Sequence, residues 1–471
     1  MVARSSTMMT SIRHIMVWAV VLLAGCSGLH IGTSAHAPSM DSGAGAPVTE
    51  AAPTVRTCPA AAKVPSGTVC YGGRDSLGAF YLIAVPPAWN HVLVVAAHGG
   101  PELGPPEQAR ADDDLVRWAV EVRAGFAWAG TTYHQGGVAV HSAAEDVERL
   151  RRIFVAHVAK PRRTVLHGQS WGADVAAVAA QTYARVGDPH PAFDGVLLSA
   201  GVLAGGIRSY EYRLDLRVIY QALCHNLPLP DEQQYPLWMG LPAGVDLPRE
   251  ELSRRVSTCL GLGLPRAART AQQEEKLETI LAVVRIPERS VLNHLAWGTY
   301  DFRDIAQKRT GMRNIFGNIN ARYHGSRDDD GLNASVARYA ADPGAVAAFG
   351  QDSDPDGMIG VPVLTVHAID DPIAMVEFED YFRRTMEAAG RADHIVQTFT
   401  DDHEHSYLAD PDYPALLNAL MRWVDDGAKP SASDVSKACT GYEAEFGSGC
   451  RFLPNYVPQA LDSRVTPRAR P

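Results

Sequence analysis

A serine between two glycines, a pair of aspartates and a pair of histidines follow one another along this chain, and together they could do covalent chemistry. Gly168-Gln169-Ser170-Trp171-Gly172 fits the pattern G-x-S-x-G. The apolar run Thr164–His167 leads into it, and an alanine-rich stretch leads out from Ala173. On a tight strand-to-helix turn such a serine exposes its hydroxyl, and glycines flank it because side chains there would strike the turn. Asp370 and Asp371 follow the apolar run Val363–Ile369, and His403 and His405 follow Ile395–Thr400. An imidazole in reach of the serine can take its proton. A carboxylate behind the imidazole can fix its tautomer and balance its charge. The chemistry this combination suits is nucleophilic attack on an acyl group.

These residues need a rigid support, and the hydrophobic pattern supplies one. Strands are predicted at Phe80–Val85, Val92–Ala97, Phe126–Thr131, Thr164–His167, Val196–Ser199, Val363–Ile369 and Ile395–Thr400. Most are continuous apolar runs, as expected of a parallel sheet covered on both faces. Helical stretches fall between them. Ser142-Ala-Ala-Glu145 reads as a capping box, with Val147, Leu150, Phe154 and Val158 along one face and Pro161 as the stop. This alternation predicts an α/β fold with a doubly wound, mostly parallel sheet. From about residue 205 to 357 no convincing core strand appears, and the stretch is read as an inserted, mainly helical cap. The core is then 58–204 with 358–427, followed by a tail over 428–471.

From about residue 65 to 427 the chain resembles the α/β-hydrolase superfamily. The carriers are the G-x-S-x-G motif after a strand and the order Ser, Asp, His, each at a strand end. Val92–Ala97 running into His98-Gly99-Gly100-Pro101 resembles the oxyanion loop of esterases and lipases in that superfamily. The resemblance implies that an amide of Gly99 or Gly100, with that of Trp171, would hold the oxyanion. A form like H-G-x-x-D-P-V laid on His367 puts the acid at Asp371, with Asp370 one place early. His405-Ser406-Tyr407 resembles the family's ending, which favours His405 over His403 as base. The implied catalytic residues are therefore Ser170, Asp371 and His405, with a small-molecule ester as substrate and no cofactor. Pro86-Pro-Ala-Trp89-Asn90 resembles exported hydrolases of the tannase and feruloyl-esterase kind. His98-Gly-Gly-Pro with Ser170-Trp-Gly is also similar to proline iminopeptidases, but Glu102 stands where those continue with Gly. Their D-Q-R-G-x-G-x-S stretch is replaced by Thr131-Thr-Tyr-His-Gln-Gly-Gly137. A third reading is a surface lipoprotein that keeps the fold for binding alone. The cap aromatics Trp238, Tyr300 and Tyr323 are candidate pocket residues.

Residues 1–25 read as a signal peptide, with Arg4 and Arg13 ahead of the apolar run Ile15–Ala24. Leu23-Ala24-Gly25-Cys26 resembles the lipobox of bacterial lipoproteins, implying a lipid anchor on Cys26; Ser27 after it implies the outer membrane. Residues 26–57, rich in Ser, Gly, Ala and Pro, read as a flexible tether. Six further cysteines (58, 70, 224, 259, 439 and 450) suit disulfides in an exported chain. Sequence alone leaves the connectivity open, and pairing by nearest neighbours gives 58–70, 224–259 and 439–450. With 46% hydrophobic and 20% charged residues the chain is globular, and a net charge of -10 argues against nucleic acid as a partner. No metal is expected: His403-x-His405 has no third ligand in spacing, and Asp352-x-Asp354-x-Asp356-Gly357 has Val363 at its twelfth position.

Overall fold

A computed structural model describes residues 49–468 apart from 406 and 407. The signal peptide, Cys26 and most of the predicted tether lie outside the described residues, as does the Ser406-Tyr407 pair. The nine strands are β1 (Thr54–Arg56), β2 (Val69–Arg74), β3 (Phe80–Val85), β4 (Val92–Ala97), β5 (Ala127–Thr131), β6 (Arg163–Gln169), β7 (Gly195–Ser199), β8 (Val363–Ala368) and β9 (Ile395–Thr400). They form one sheet in the order β1-β2-β3-β5-β4-β6-β7-β8-β9. From β5 to β9 every pairing is parallel, while β1, β2, β3 and β5 pair antiparallel. Of the parallel strands β4, β5, β7 and β8 are buried along their whole length, while β6 and β9 keep one and two part-exposed positions.

The seven strands expected from the sequence are all present, with ends shifted by a residue or two. The two strands at the antiparallel edge escaped the sequence pattern. β2 carries Gly72 and Gly73 and alternates buried with part-exposed positions, and β1 is three residues long. The tether reading is corrected at its end: Thr54–Arg56 pairs with Cys70–Gly72, and Glu50 accepts hydrogen bonds from the Ser76 amide and hydroxyl at 2.9 and 2.6 Å.

One face of the sheet is covered by α2 (Val140–His157), α3 (Trp171–Tyr183) and α11 (Phe378–Ala388). The other is covered by α1 (Gln108–Arg123), α12 (Asp412–Asp426) and α13 (Ala432–Phe446). The capping box read at Ser142 does not form. α2 begins at Val140 with no side-chain cap, and the Val140 amide donates instead to Asp352 Oδ2 at 3.2 Å, across 212 positions. A tertiary acceptor has replaced the local one.

Between β7 and β8 the chain forms α4 (Gly205–Arg208), α5 (Glu211–Cys224), α6 (Arg249–Leu260), α7 (Ala271–Val284), α8 (Val291–Asp304), α9 (Asp329–Ser335) and α10 (Pro343–Ser353). Their apolar side chains, among them Leu214, Leu295 and Phe302, join the cluster that also holds α2 and α3. The inserted helices therefore share the core rather than building a separate one. After α13 the tail returns: Leu453 N donates to Phe399 O at 2.7 Å, and buried Arg468 pairs with Asp215 on α5. The disulfides are Cys58–Cys70, Cys224–Cys259 and Cys439–Cys450, the nearest-neighbour set.

Cys224–Cys259 ties the end of α5 to α6 over 35 positions. Replacing both cysteines by serine should cost about 3–4 kcal/mol of stability by loop-closure entropy. Denaturant unfolding of the double variant against the parent measures it.

Candidate active site

The local backbone explains why a serine can stand where Ser170 stands. Ser170 joins β6 to α3 at φ 59 and ψ −122, a conformation that a residue with a side chain adopts only under constraint. Its amide donates to Ser199 O at 3.0 Å, and its carbonyl accepts from the Ala173 and Val202 amides at 3.0 and 3.1 Å. The glycines on either side are required by contact. A Cβ on Gly168 would lie 2.3 Å from Gly172 O, and one on Gly172 would lie 2.0 Å from Ala97 O. Without side chains there, α3 can start directly against the end of β4.

The other two members arrive on the loops after β8 and β9, which are paired in parallel. His405 Nε2 lies 2.7 Å from Ser170 Oγ, and its Nδ1 lies 2.7 Å from Asp371 Oδ2. With Nδ1–H donating to the carboxylate, Nε2 is left to accept from the serine hydroxyl. Asp371 has no exposed side-chain surface. Its Oδ1 accepts from the Ile373 and Ala374 amides at 2.8 and 2.9 Å. Burial alone would raise this carboxyl, but the charges and hydrogen bonds of His405 and His367 outweigh it and hold it below the usual range. The alternatives Asp370 and His403 find each other instead, at 2.8 Å, with both side chains more than half exposed.

His367 had been only a landmark in the sequence, and the structure gives it a place in the site. Its Nε2 lies 3.0 Å from Ala374 O and 3.5 Å from Asp371 Oδ2, and its Nδ1 lies 3.2 Å from Glu379 Oε1. Glu379 accepts in addition from Thr365 Oγ1 and Gln397 Nε2 at 2.8 and 2.6 Å. Both ring nitrogens of His367 face acceptors, so both carry a proton and the ring is an imidazolium. Burial opposes that charge, yet Asp371 and Glu379 raise its pKa to about 10. The sequence signal was the two-residue spacing of Thr365 and His367, which puts both on one face of β8.

The loop after β4 lies against Ser170: a Cβ on Gly99 would be 2.7 Å from Gln169 Oε1 and 3.4 Å from Ser170 Cβ. Tyr133 Oη donates to His98 O at 3.2 Å, and Arg110 Nη2 donates to Gly99 O at 3.0 Å. In a trans peptide N–H and C=O point opposite ways. Fixing those two carbonyls therefore turns the Gly99 and Gly100 amides away from Tyr133 and Arg110. A cavity of about 290 Å³ opens beside the loop, lined by His98, Arg110, Tyr133 and Trp171. Such an arrangement can activate a hydroxyl, receive an oxyanion and protonate a leaving group.

Other groups with similar composition do not join the site. Glu121, His167 and Ser199 form a second acid–imidazole–hydroxyl chain, with His167 Nε2 2.9 Å from Ser199 Oγ, but all three are sealed between α1 and the sheet. Tyr323 is fully buried and bonded to Asp215, and Tyr300 donates to Leu247 O, so these cap aromatics are packing residues. The carboxylates of the calcium-like stretch go separate ways: Asp352 to Val140 N, Asp354 to Gly206 N and Asp356 to Arg185.

The His367 charge predicts a pH dependence. With a folded value near 10 against the ordinary 6.5, its contribution is whole below about pH 6.5 and is lost as pH climbs through about 10. His367→Asn should lower stability at pH 6 by about 3–5 kcal/mol, as breaking a buried ion pair does. The variant should also show a flatter stability profile between pH 6 and 10 in denaturant titrations.

No protein-family model matches the chain, and no curated protein matches it. Among solved structures it is similar to an esterase from Aspergillus oryzae, at 13% identity and a TM-score of 0.42 over 81% of this chain and 86% of that one. It is also similar to feruloyl esterase B from Aspergillus oryzae, at 14% identity and a TM-score of 0.41, covering 82% of this chain and 89% of the other. Tannin acyl hydrolase from Aspergillus niger gives 10% identity and a TM-score of 0.38, covering 81% and 83%. These likenesses are low, and the fold is assigned from the strand order and the turn at Ser170. A mostly parallel sheet wound on both faces, with Ser170 on the turn from β6 to α3 and an acid and a histidine after β8 and β9, is the α/β-hydrolase fold.

Proposed function

We propose that the chain is an exported serine hydrolase that cleaves carboxylic esters through an acyl-enzyme. The observation that carries this reading is the unbroken hydrogen-bonded chain from Ser170 Oγ through His405 to buried Asp371. Ser170 attacks the ester carbonyl as His405 takes its proton. The amides of Gly99 or Gly100 and of Trp171 hold the tetrahedral oxyanion. His405 then gives the proton to the departing alcohol, and water repeats the cycle in reverse to release the acid. No step calls for a cofactor. Residues 205–357 act as the cap over this centre. Tyr212 Oη on α5 donates to Ile373 O at 3.4 Å, and His294 Nε2 on α8 lies 3.0 Å from Pro372 O, so the inserted helices grip the loop that carries Asp371. Export, and a lipid anchor on Cys26, are favoured by the three disulfides and by the N-terminal sequence.

Steady-state hydrolysis of short aryl esters tests the assignment. Asp371→Asn should lower kcat by about 10⁴-fold, through the wrong imidazole tautomer. Asp370→Asn and His403→Ala should stay within about three-fold of the parent, because neither touches the reacting groups. The reverse pattern would move the acid and base to the exposed pair. Prolyl arylamides assayed in parallel separate ester from iminopeptidase activity, and esters should be the faster substrates.

A further inference from the structure

Two arginines one turn apart on α5, Arg213 and Arg217, are buried at 3% and 1% exposure. Among the described residues neither has a carboxylate within ion-pair distance. An unpaired buried cation is costly, so each needs a physical account. For Arg217 the account is local. Its Nη1 donates to Gly298 O and Thr299 Oγ1 at 2.6 and 3.1 Å, the rest of the group is closed in between α5 and α8, and burial lowers its pKa.

Arg213 differs. Its guanidinium carbon lies 4.5 Å from the Trp297 ring, 4.8 Å from Tyr212 and 4.9 Å from Tyr210. The rings stabilise the charge through the face of the group. The N–H donors, however, point outward in the guanidinium plane, where a ring offers no acceptor. Among the described residues Ser209 O, 3.3 Å from Nη1, is the one acceptor it meets, and Nε is buried without any. Asp301 on α8 is near but forms no ion pair with it; burial pushes that carboxyl well above the usual range although Arg213 opposes the shift.

The position of Arg213 ties it to the catalytic centre from two sides. The chain that reaches it leaves Ser170 through Val202, whose amide donates to Ser170 O, and Ala204, whose amide donates to Ser209 Oγ at 3.1 Å. Its neighbour Tyr212 bonds Ile373 O, two residues past Asp371. The Arg213 charge acts on the ring of His294, as do those of Asp371 and His405.

We infer that Arg213 receives a carboxylate of the substrate, so that the esters cleaved at Ser170 carry a free carboxylate beside the scissile bond. This rests on the serine-hydrolase reading above. A planar fork with unmet edge donors matches a carboxylate, which accepts two parallel hydrogen bonds. A single cation without a carboxylate partner favours this monoanion over a phosphate dianion, since Arg217 is closed in between α5 and α8. The rings of Tyr210 and Trp297, stacked at 4.0 Å beside the guanidinium, suit an acid with a flat or apolar body.

The test is calorimetric titration of the Ser170→Ala protein with two aryl esters that differ at one group. One is a monoaryl glutarate with its carboxylate free, and the other is its methyl ester. Ser170→Ala should bind the free acid at least about ten-fold more tightly. Adding Arg213→Met should bring the two affinities together, and adding Arg213→Lys, which keeps the charge but not the fork, should leave a reduced preference. Equal affinities in Ser170→Ala, or a preference unchanged by Arg213→Lys or Arg213→Met, would overturn the assignment. Should Arg213→Met fail to fold, the lysine variant decides. Turnover of the methyl ester by the unmodified protein is read separately. Its absence would count against the hydrolase reading, while the binding ratio still judges Arg213.

Discussion

A carboxylate with no solvent on it must stay charged at Asp371, and much of the surrounding structure follows from that requirement. Left alone, such a group would take a proton and lose its hold on the His405 tautomer. Three devices prevent this. The amides of Ile373 and Ala374 cap one oxygen, His405 donates to the other, and the His367 imidazolium lies just behind. His367 in turn needs Glu379, and Glu379 needs Thr365 and Gln397. The requirement thus runs from the site through β8 to α11 and β9. The sealed chain of Glu121, His167 and Ser199 provides the contrast. It has the same chemical types, but no path to a substrate.

The second constraint is backbone strain at Ser170, and it is met by packing rather than by charge. The positive φ persists because the Ser170 amide and carbonyl are both bonded to the β7 side of the molecule, and because two glycines let α3 close onto β4. The sheet core supports Ser170, the loops after β8 and β9 bring Asp371 and His405 to it, and the inserted helices hold the loop of Asp371 through Tyr212 and His294. The tail closes the arrangement, since Arg468 reaches Asp215 on the same helix that carries Tyr212 and Arg213.

How far this was legible in the sequence depended on whether the signal was local. Buried parallel strands announce themselves as apolar runs, and the G-x-S-x-G turn is encoded within five residues. The edge strands β1 and β2 do not, because half their surface is solvent and two positions are glycine. The start of α2 was misread because its acceptor, Asp352, is supplied from far along the chain. Choosing Asp371 and His405 over Asp370 and His403 leaned on a resemblance, since each pair has one acid and one imidazole. Burial separates them: 371 turns inward to backbone amides and 370 turns to water. For His367 the spacing from Thr365 on a buried strand gave its face, but its charge depends on Glu379, which no local pattern names. Arg213 was illegible, because a charged residue in a helix reads as a solvated face and its burial depends on partners such as Trp297.

The central claim is that Ser170 is an activated nucleophile, and covalent labelling tests it without any knowledge of the substrate. The purified protein is treated with a fluorophosphonate and the adduct located by peptide mapping, with Ser170→Ala as control. A single adduct on Ser170, absent from the control, is the predicted result. A folded protein that takes no label, or takes it elsewhere, would contradict the account.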